Sequence, residues 1–241
     1  MGKKIFIFDF DGTLTPYPIT KVGVLEECGF NGGMMNSQFM DMVNERMSSR
    51  NIDLYSASYQ ILLEVLKENG IAANYKNFGM NAENLEYNPG VYNFLDKLYS
   101  LGFINYIVSS SAKDFLEQTT VAKFFKKIYA TTFIWENGVA IKPDFLMMDS
   151  TKVDVIKEIL RDNNYRENDC SDLVYIGDGL TDLPAMEYIK SNGGTTIFVY
   201  LDKQNESYIE SKKTNFVSCY MTADYTDDSD LSKFFDSLCN N

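Results

Sequence analysis

Residues 5–13 read Ile5-Phe6-Ile7-Phe8-Asp9-Phe10-Asp11-Gly12-Thr13, an unbroken apolar run that stops at two carboxylates and a glycine. A short stretch apolar at every position is what a parallel strand buried on both faces requires. The run therefore predicts a strand whose carboxyl end delivers Asp9 and Asp11 to a loop. Two apart on an extended backbone, the carboxylates face one side while Phe10 faces the other. Gly12 permits a sharp turn with exposed amides, a setting that suits phosphate oxygens.

Outward from this strand the chain divides. Residues 16–88 show helical periodicity, notably Leu54 to Asn69 closing at Gly70, and no convincing apolar strand. They are expected to form a small helical domain inserted into an α/β core of residues 1–15 and 89–241. Pro89 suits the first turn of a helix running to Leu101, with Gly102 as its stop. A strand over Ile104–Val108 then ends in Ser109-Ser110-Ser111, and another is expected near Ile128–Ala130. Phe133 to Ile141 carries Glu136-Asn137-Gly138 at its middle, which predicts a β-hairpin flap. Thr151–Asp162 repeats apolar residues at Val153, Ile156, Ile159 and Leu160, an amphipathic helix with Lys152 in its first turn. Leu173–Ile176 is an apolar strand ending at Gly177-Asp178-Gly179; Thr196–Tyr200 gives one more, and Leu231–Leu238 a closing helix. Repeated strand–helix units predict a Rossmann-like parallel sheet, and such sheets gather their sites at the carboxyl ends of the strands.

With 45% apolar residues the chain can build a sizeable core. Its formal net charge of -12 argues against general affinity for nucleic acid or an anionic membrane surface. No apolar run approaches the roughly eighteen residues of a membrane span, and Met1-Gly2-Lys3-Lys4 leads straight into the first strand, so a cytoplasmic protein is expected. Cys28, Cys170, Cys219 and Cys239 are far apart and read as free, mostly buried thiols. The sequence holds no histidine, so acid–base chemistry falls to carboxylates, lysine or tyrosine. A carboxylate can attack phosphorus directly, provided that a hard cation such as Mg²⁺ screens the two anions; Asp178, at a neighbouring strand end, could complete an oxygen shell.

Asp9-Phe10-Asp11-Gly12-Thr13, Ser109, Lys152 and Gly177-Asp178-Gly179-Leu180-Thr181-Asp182 together resemble the four ordered motifs of the haloacid dehalogenase superfamily. The helical segment between the first two motifs is similar to the cap of its phosphoserine-phosphatase-like branch. The resemblance implies a Mg²⁺-dependent phosphatase acting on a small phosphorylated metabolite. Asp9 would be the nucleophile that carries an aspartyl phosphate, and Asp11 the general acid and base. Ser109 and Lys152 would hold the phosphoryl oxygens. The metal would be bound by the side chains of Asp9 and Asp178 and the backbone carbonyl of Asp11, with Asp182 orienting its waters or Lys152. Phosphoryl transfer to another acceptor, and a phosphate-binding regulatory protein without turnover, are the alternatives. Phosphoserine phosphatases carry a Glu shortly after the first motif, where this chain reads Thr15-Pro16-Tyr17-Pro18. Oligomeric state is not legible.

Each assignment has a plainer rival. Ser109 could cap the helix near Lys113, and Ser110 competes with it; Lys142 competes with Lys152; Asp182 could be an N-cap for Leu183–Tyr188. Arg46 and Arg50, the only arginines of the helical segment, could receive a substrate carboxylate or second phosphate, or simply be solvated. Met34, Met35, Met40, Met42 and Met47 read as core filling that could also line a pocket.

Overall fold

The structure, a computed structural model, describes residues 4–18 and 23–239. Met1, Gly2 and Lys3, expected to lead into the first strand, lie outside the described residues, as does the side chain of Cys239; Cys28, Cys170 and Cys219 are free thiols. The chain opens with β1 (Ile5–Phe8), followed by α1 (Val24–Glu27), α2 (Ser37–Arg50), α3 (Leu54–Glu68) and α4 (Tyr75–Phe78). Next come α5 (Val91–Ser100), β2 (Ile104–Ala112), α6 (Lys113–Leu116) and β3 (Lys127–Thr131). A hairpin of β4 (Phe133–Glu136) and β5 (Val139–Pro143) precedes α7 (Asp149–Asp162) and β6 (Leu173–Gly177). The remainder is α8 (Leu183–Ser191), β7 (Thr195–Tyr200), α9 (Glu206–Ser211), β8 (Cys219–Thr222) and α10 (Asp230–Cys239).

Six strands form one parallel sheet in the order β3-β2-β1-β6-β7-β8, which puts β1 inside the sheet between β2 and β6. The alternation of a strand then sorts its side chains. Phe6, Phe8 and Phe10 pack with Phe94 and Leu95 of α5 and Phe235 of α10 on one face. Ile5 and Ile7 pack with Val155, Ile156 and Ile159 of α7 and Ala185 and Met186 of α8 on the other. Both faces are covered, as the wholly apolar β1 demands.

The helical segment has an apolar cluster of its own, built on Phe39, Val43, Ile61, Leu62, Val65 and Phe78. The β4–β5 hairpin turns at Asn137 and Gly138, both at positive φ, in the manner of an Asn-Gly two-residue loop. Expected as part of the α/β core, it closes the helical cluster instead. Phe133 and Ala140 are buried there, the Phe133 ring lies 4.9 Å from that of Phe78, and the Ala140 amide donates to the Ala73 carbonyl at 2.8 Å. Met34, Met40, Met42 and Met47 pack against the same cluster, whereas Met35 is exposed.

Two expectations on element bounds change. The helix after Asn88 begins at Val91, and Gly90, at φ 79, is its N-cap. Pro89 falls outside the first turn because its carbonyl accepts from the Tyr225 amide at 2.8 Å, so the chain is still joined to its neighbour there. A Cβ on Gly90 would come within 2.4 Å of the Thr226 backbone nitrogen, so glycine is the residue this approach admits. β2 does not end at Val108 but runs on through the three serines to Ala112, with a register shift against β3.

Candidate active site

The parity of β1 decides where Asp9 looks. The Asp9 amide donates to the Ile176 carbonyl of β6, so the extended pairing continues one residue past the strand. Asp9 therefore follows Ile5 and Ile7 toward the α7 face, where Lys152 stands in the first turn of that helix. Lys152 is 1% exposed, a burial that a lysine tolerates only when paired. Its ammonium donates to Asp182 Oδ1 at 2.6 Å and lies 3.4 Å from Asp9 Oδ1. Burial works against its charge, but the Asp182 and Asp9 carboxylates beside it prevail and hold its pKa well above the ordinary lysine range. Lys142, its rival in the sequence, is exposed on β5.

Asp182 is fully buried; it stands at the N-cap position of α8 but makes no side-chain cap there. Tyr175 donates to its Oδ1 at 2.6 Å, the Gly179 amide donates to its Oδ2 at 3.0 Å, and Lys152 completes the set. With donors on both oxygens, Asp182 serves as the fixed counter-ion of Lys152. Asp178 extends from the same loop toward the first motif, where Thr13 Oγ1 donates to its Oδ1 at 2.9 Å. Gly12 sits at φ +75, and a Cβ there would lie 2.1 Å from Asp178 Oδ2. Only glycine allows both that turn and that approach.

Ligand oxygens of Asp9, Asp178 and Asp182 all lie within 4.8 Å of one another. Such convergence of negative charge away from water is costly. Burial first, then the neighbouring carboxylates, raise the pKa of Asp178 from 3.8 to about 7. Asp9 is likewise raised well above the usual range, by burial and by Asp182, Asp178 and Asp11, with Lys152 as the opposing influence. An all-oxygen donor set carrying more negative charge than one lysine offsets fits a hard divalent cation. Asp9 and Asp178 would hold it, since both oxygens of Asp182 are already engaged.

The serines of β2 divide by parity. Ser109 and Ser111 are buried, and Ser109 Oγ accepts from the Ser111 amide at 3.2 Å; it does not cap α6, whose N-cap Ala112 uses no side chain. Ser110 presents its carbonyl to the Tyr59 hydroxyl at 2.8 Å and to Thr131 Oγ1 at 2.9 Å. Ser111 donates to Asp11 Oδ2, a contact that joins β2 to the first motif and was not foreseen. The alternation Ser109/Ser111 was its available signal. Tyr175 and Thr13 were also missed as site residues, although a tyrosine inside a buried strand requires a partner for its hydroxyl.

The structure does not bring Arg46 or Arg50 to this cluster. Arg46 pairs in two-pronged fashion with Glu64, one arm at 2.8 Å, and Arg50 donates to Gln60 at 3.3 Å. Neither lines the two cavities that reach the Asp11 loop and Ser111.

The same arrangement of sheet and flanking helices recurs in solved structures. A phospho-aspartyl intermediate analogue of phosphoserine phosphatase superposes with a TM-score of 0.64 at 15% identity, over 98% of this chain and 99% of that one. A HAD family hydrolase from Salmonella enterica subsp. enterica serovar Typhi gives 0.66 at 16% identity, over 91% of this chain and 67% of that one. A predicted phosphatase from Clostridium acetobutylicum gives 0.55 at 17% identity over the full length of both chains. No curated protein sequence matches. The sequence model of the haloacid dehalogenase-like hydrolases matches residues 6–187, from β1 into α8, and so takes in every residue of the carboxylate cluster. On that match and this fold, the chain belongs to the haloacid dehalogenase-like hydrolase family.

Proposed function

We propose that the protein is a Mg²⁺-dependent phosphatase of small phosphomonoesters that works through an aspartyl phosphate on Asp9. The observation that carries this reading is the position of Asp9, at a strand end, 3.4 Å from the Lys152 ammonium, clustered with Asp178 and two residues before Asp11. An Asp9 oxygen attacks phosphorus, the P–O bond to the alcohol breaks, and Asp11 gives its proton to the departing oxygen. Asp11 then takes a proton from water, which attacks phosphorus, frees inorganic phosphate and restores Asp9. Ser111 fixes the Asp11 carboxylate for both tasks. Lys152, the amides around Gly12 and Ser109 receive the phosphoryl oxygens. Asp9, Asp178 and the Asp11 carbonyl would hold a divalent cation, whose positive charge would keep Asp9 ionised against its raised pKa.

Residues 16–88 act as a cap that excludes water and selects substrates. Tyr55 belongs to this reading: it stands one turn before Tyr59 on α3, and the charges of Lys152, Asp9 and Asp182 reach its hydroxyl, whose pKa burial raises. The test is phosphate release from a broad panel of phosphate esters with and without Mg²⁺. Release that requires Mg²⁺ and falls by at least about a thousandfold in Asp9→Asn is expected; an active Asp9→Asn protein would sink the mechanism.

A further inference from the structure

Resting on that reading, we propose that the alcohol portion of the ester is small, uncharged and apolar, and that it seats between Leu25, Met34, Leu62, Phe78 and Phe115. These residues wall a cavity of about 50 Å³ between the helical segment and the start of α6. Ser111 lines the same cavity and donates to Asp11 Oδ2. As the acid, Asp11 must touch the ester oxygen. Ser111 thus links the acid to the wall of this cavity.

The lining dictates the chemistry of the occupant. Among its ten described residues none carries a charge; Tyr59 alone is ionisable, and burial holds its phenol neutral while its hydroxyl donates to the Ser110 carbonyl at 2.8 Å. A carboxylate or ammonium placed there loses its water and finds no counter-ion among the described lining residues. Phosphoserine would bring one of each. The two arginines of the helical segment are held elsewhere, Arg46 by Glu64 and Arg50 by Gln60. The second cavity at the Asp11 loop, about 270 Å³, is lined by Asp11, Gly12 and Asp178, the residues that in this reading meet the phosphoryl group and its cation.

Size narrows the class further. An engineered apolar cavity of about 150 Å³ takes up benzene, so about 50 Å³ suits an alkyl group of only a few carbons. The flexible thioether of Met34 gives the wall some adaptability.

The experiment compares kcat/KM of the full-length protein, with Mg²⁺, for isobutyl phosphate and phosphoserine, using phenyl phosphate as a generic ester. Isobutyl phosphate is expected to exceed phosphoserine at least tenfold, chiefly through KM. Met34→Arg, at a partly exposed position, should erase or reverse that ratio. Leu62→Ala should move the preference toward longer alkyl phosphates, with thermal unfolding verifying that both variants fold. Phosphoserine turned over as well as isobutyl phosphate, or a ratio indifferent to both substitutions, overturns the assignment while leaving the phosphatase reading intact. Release from none of the three esters overturns the phosphatase reading along with it.

Discussion

At the scale of single residues the site is a problem in charge. Asp178 ionises in water at 3.8 but in the fold at about 7, so folding favours its protonated form. Stability from this group is fully present below its unfolded pKa and is lost as pH rises through about 7. Asp9 is shifted in the same direction. A divalent cation, which binds the ionised carboxylates, reverses the loss. The thermal unfolding midpoint should therefore rise little with Mg²⁺ at pH 5 and clearly at pH 8, and Asp178→Asn should flatten the pH dependence of the metal-free protein over that interval. An equal Mg²⁺ effect at both pH values would contradict this account. Lys152 makes the complementary case. Lys152→Met leaves Asp182 buried without its cation, which should cost about 3–5 kcal/mol in denaturant unfolding and reduce phosphate release at least about a hundredfold. The convergence of the first motif and Asp178 was legible because Asp9 directly follows an apolar run, Asp11 precedes Gly12, and Asp178 stands between two glycines at the end of another such run. Ser111 and Thr13 were not, because their partners Asp11 and Asp178 are 100 and 165 residues away in the chain.

At the scale of elements, the loop after β1 is fastened where the helical segment leaves and returns. The Asn88 amide donates to the Leu14 carbonyl at 2.8 Å, and its Nδ2 donates to the carbonyls of Thr13 and Thr15 at 2.8 and 3.2 Å. Tyr225 adds a hydrogen bond to the Thr13 carbonyl at 2.9 Å. The peptide thus held carries the hydroxyl that orients Asp178. Asn88→Ala strands the Thr15 carbonyl and leaves that of Thr13 to Tyr225 alone, and should lower stability by about 1–3 kcal/mol, with faster amide exchange at Leu14 and Thr15 by hydrogen-exchange mass spectrometry. Unchanged exchange there would refute the fastening. Elements with a strong pattern were legible to within a few residues: β1, the helix from Leu54, the Asn137-Gly138 hairpin and β6. β8 was missed because four residues at a sheet edge, three half-buried and one exposed, show neither a continuous apolar run nor alternation. α9, six residues long, is too short for a helical period to register. The start of α5 was misplaced because Pro89 signals a helix only when its carbonyl is not claimed by another segment.

At the scale of the molecule, the hairpin belongs energetically to the helical segment, a partition that sequence order conceals because β4 and β5 follow β3 directly. Phe133→Ala, which empties a buried contact with Phe78 and Tyr59, should cost about 3–5 kcal/mol. The surface pairing of Arg46 with the half-exposed Glu64 is a weaker tie. Arg46→Gln should lower stability by no more than about 1 kcal/mol and leave kcat/KM unchanged; a large KM increase would return Arg46 to the substrate. The central claim is that Asp9 becomes phosphorylated, and its most direct test is to quench the Mg²⁺-loaded protein during turnover, reduce it with borohydride and map the product by mass spectrometry. Reduction of an acyl phosphate converts that aspartate to homoserine, and the account predicts this at position 9 alone, only when ester was present. Steady turnover with position 9 unmodified, or homoserine at another aspartate, would contradict it.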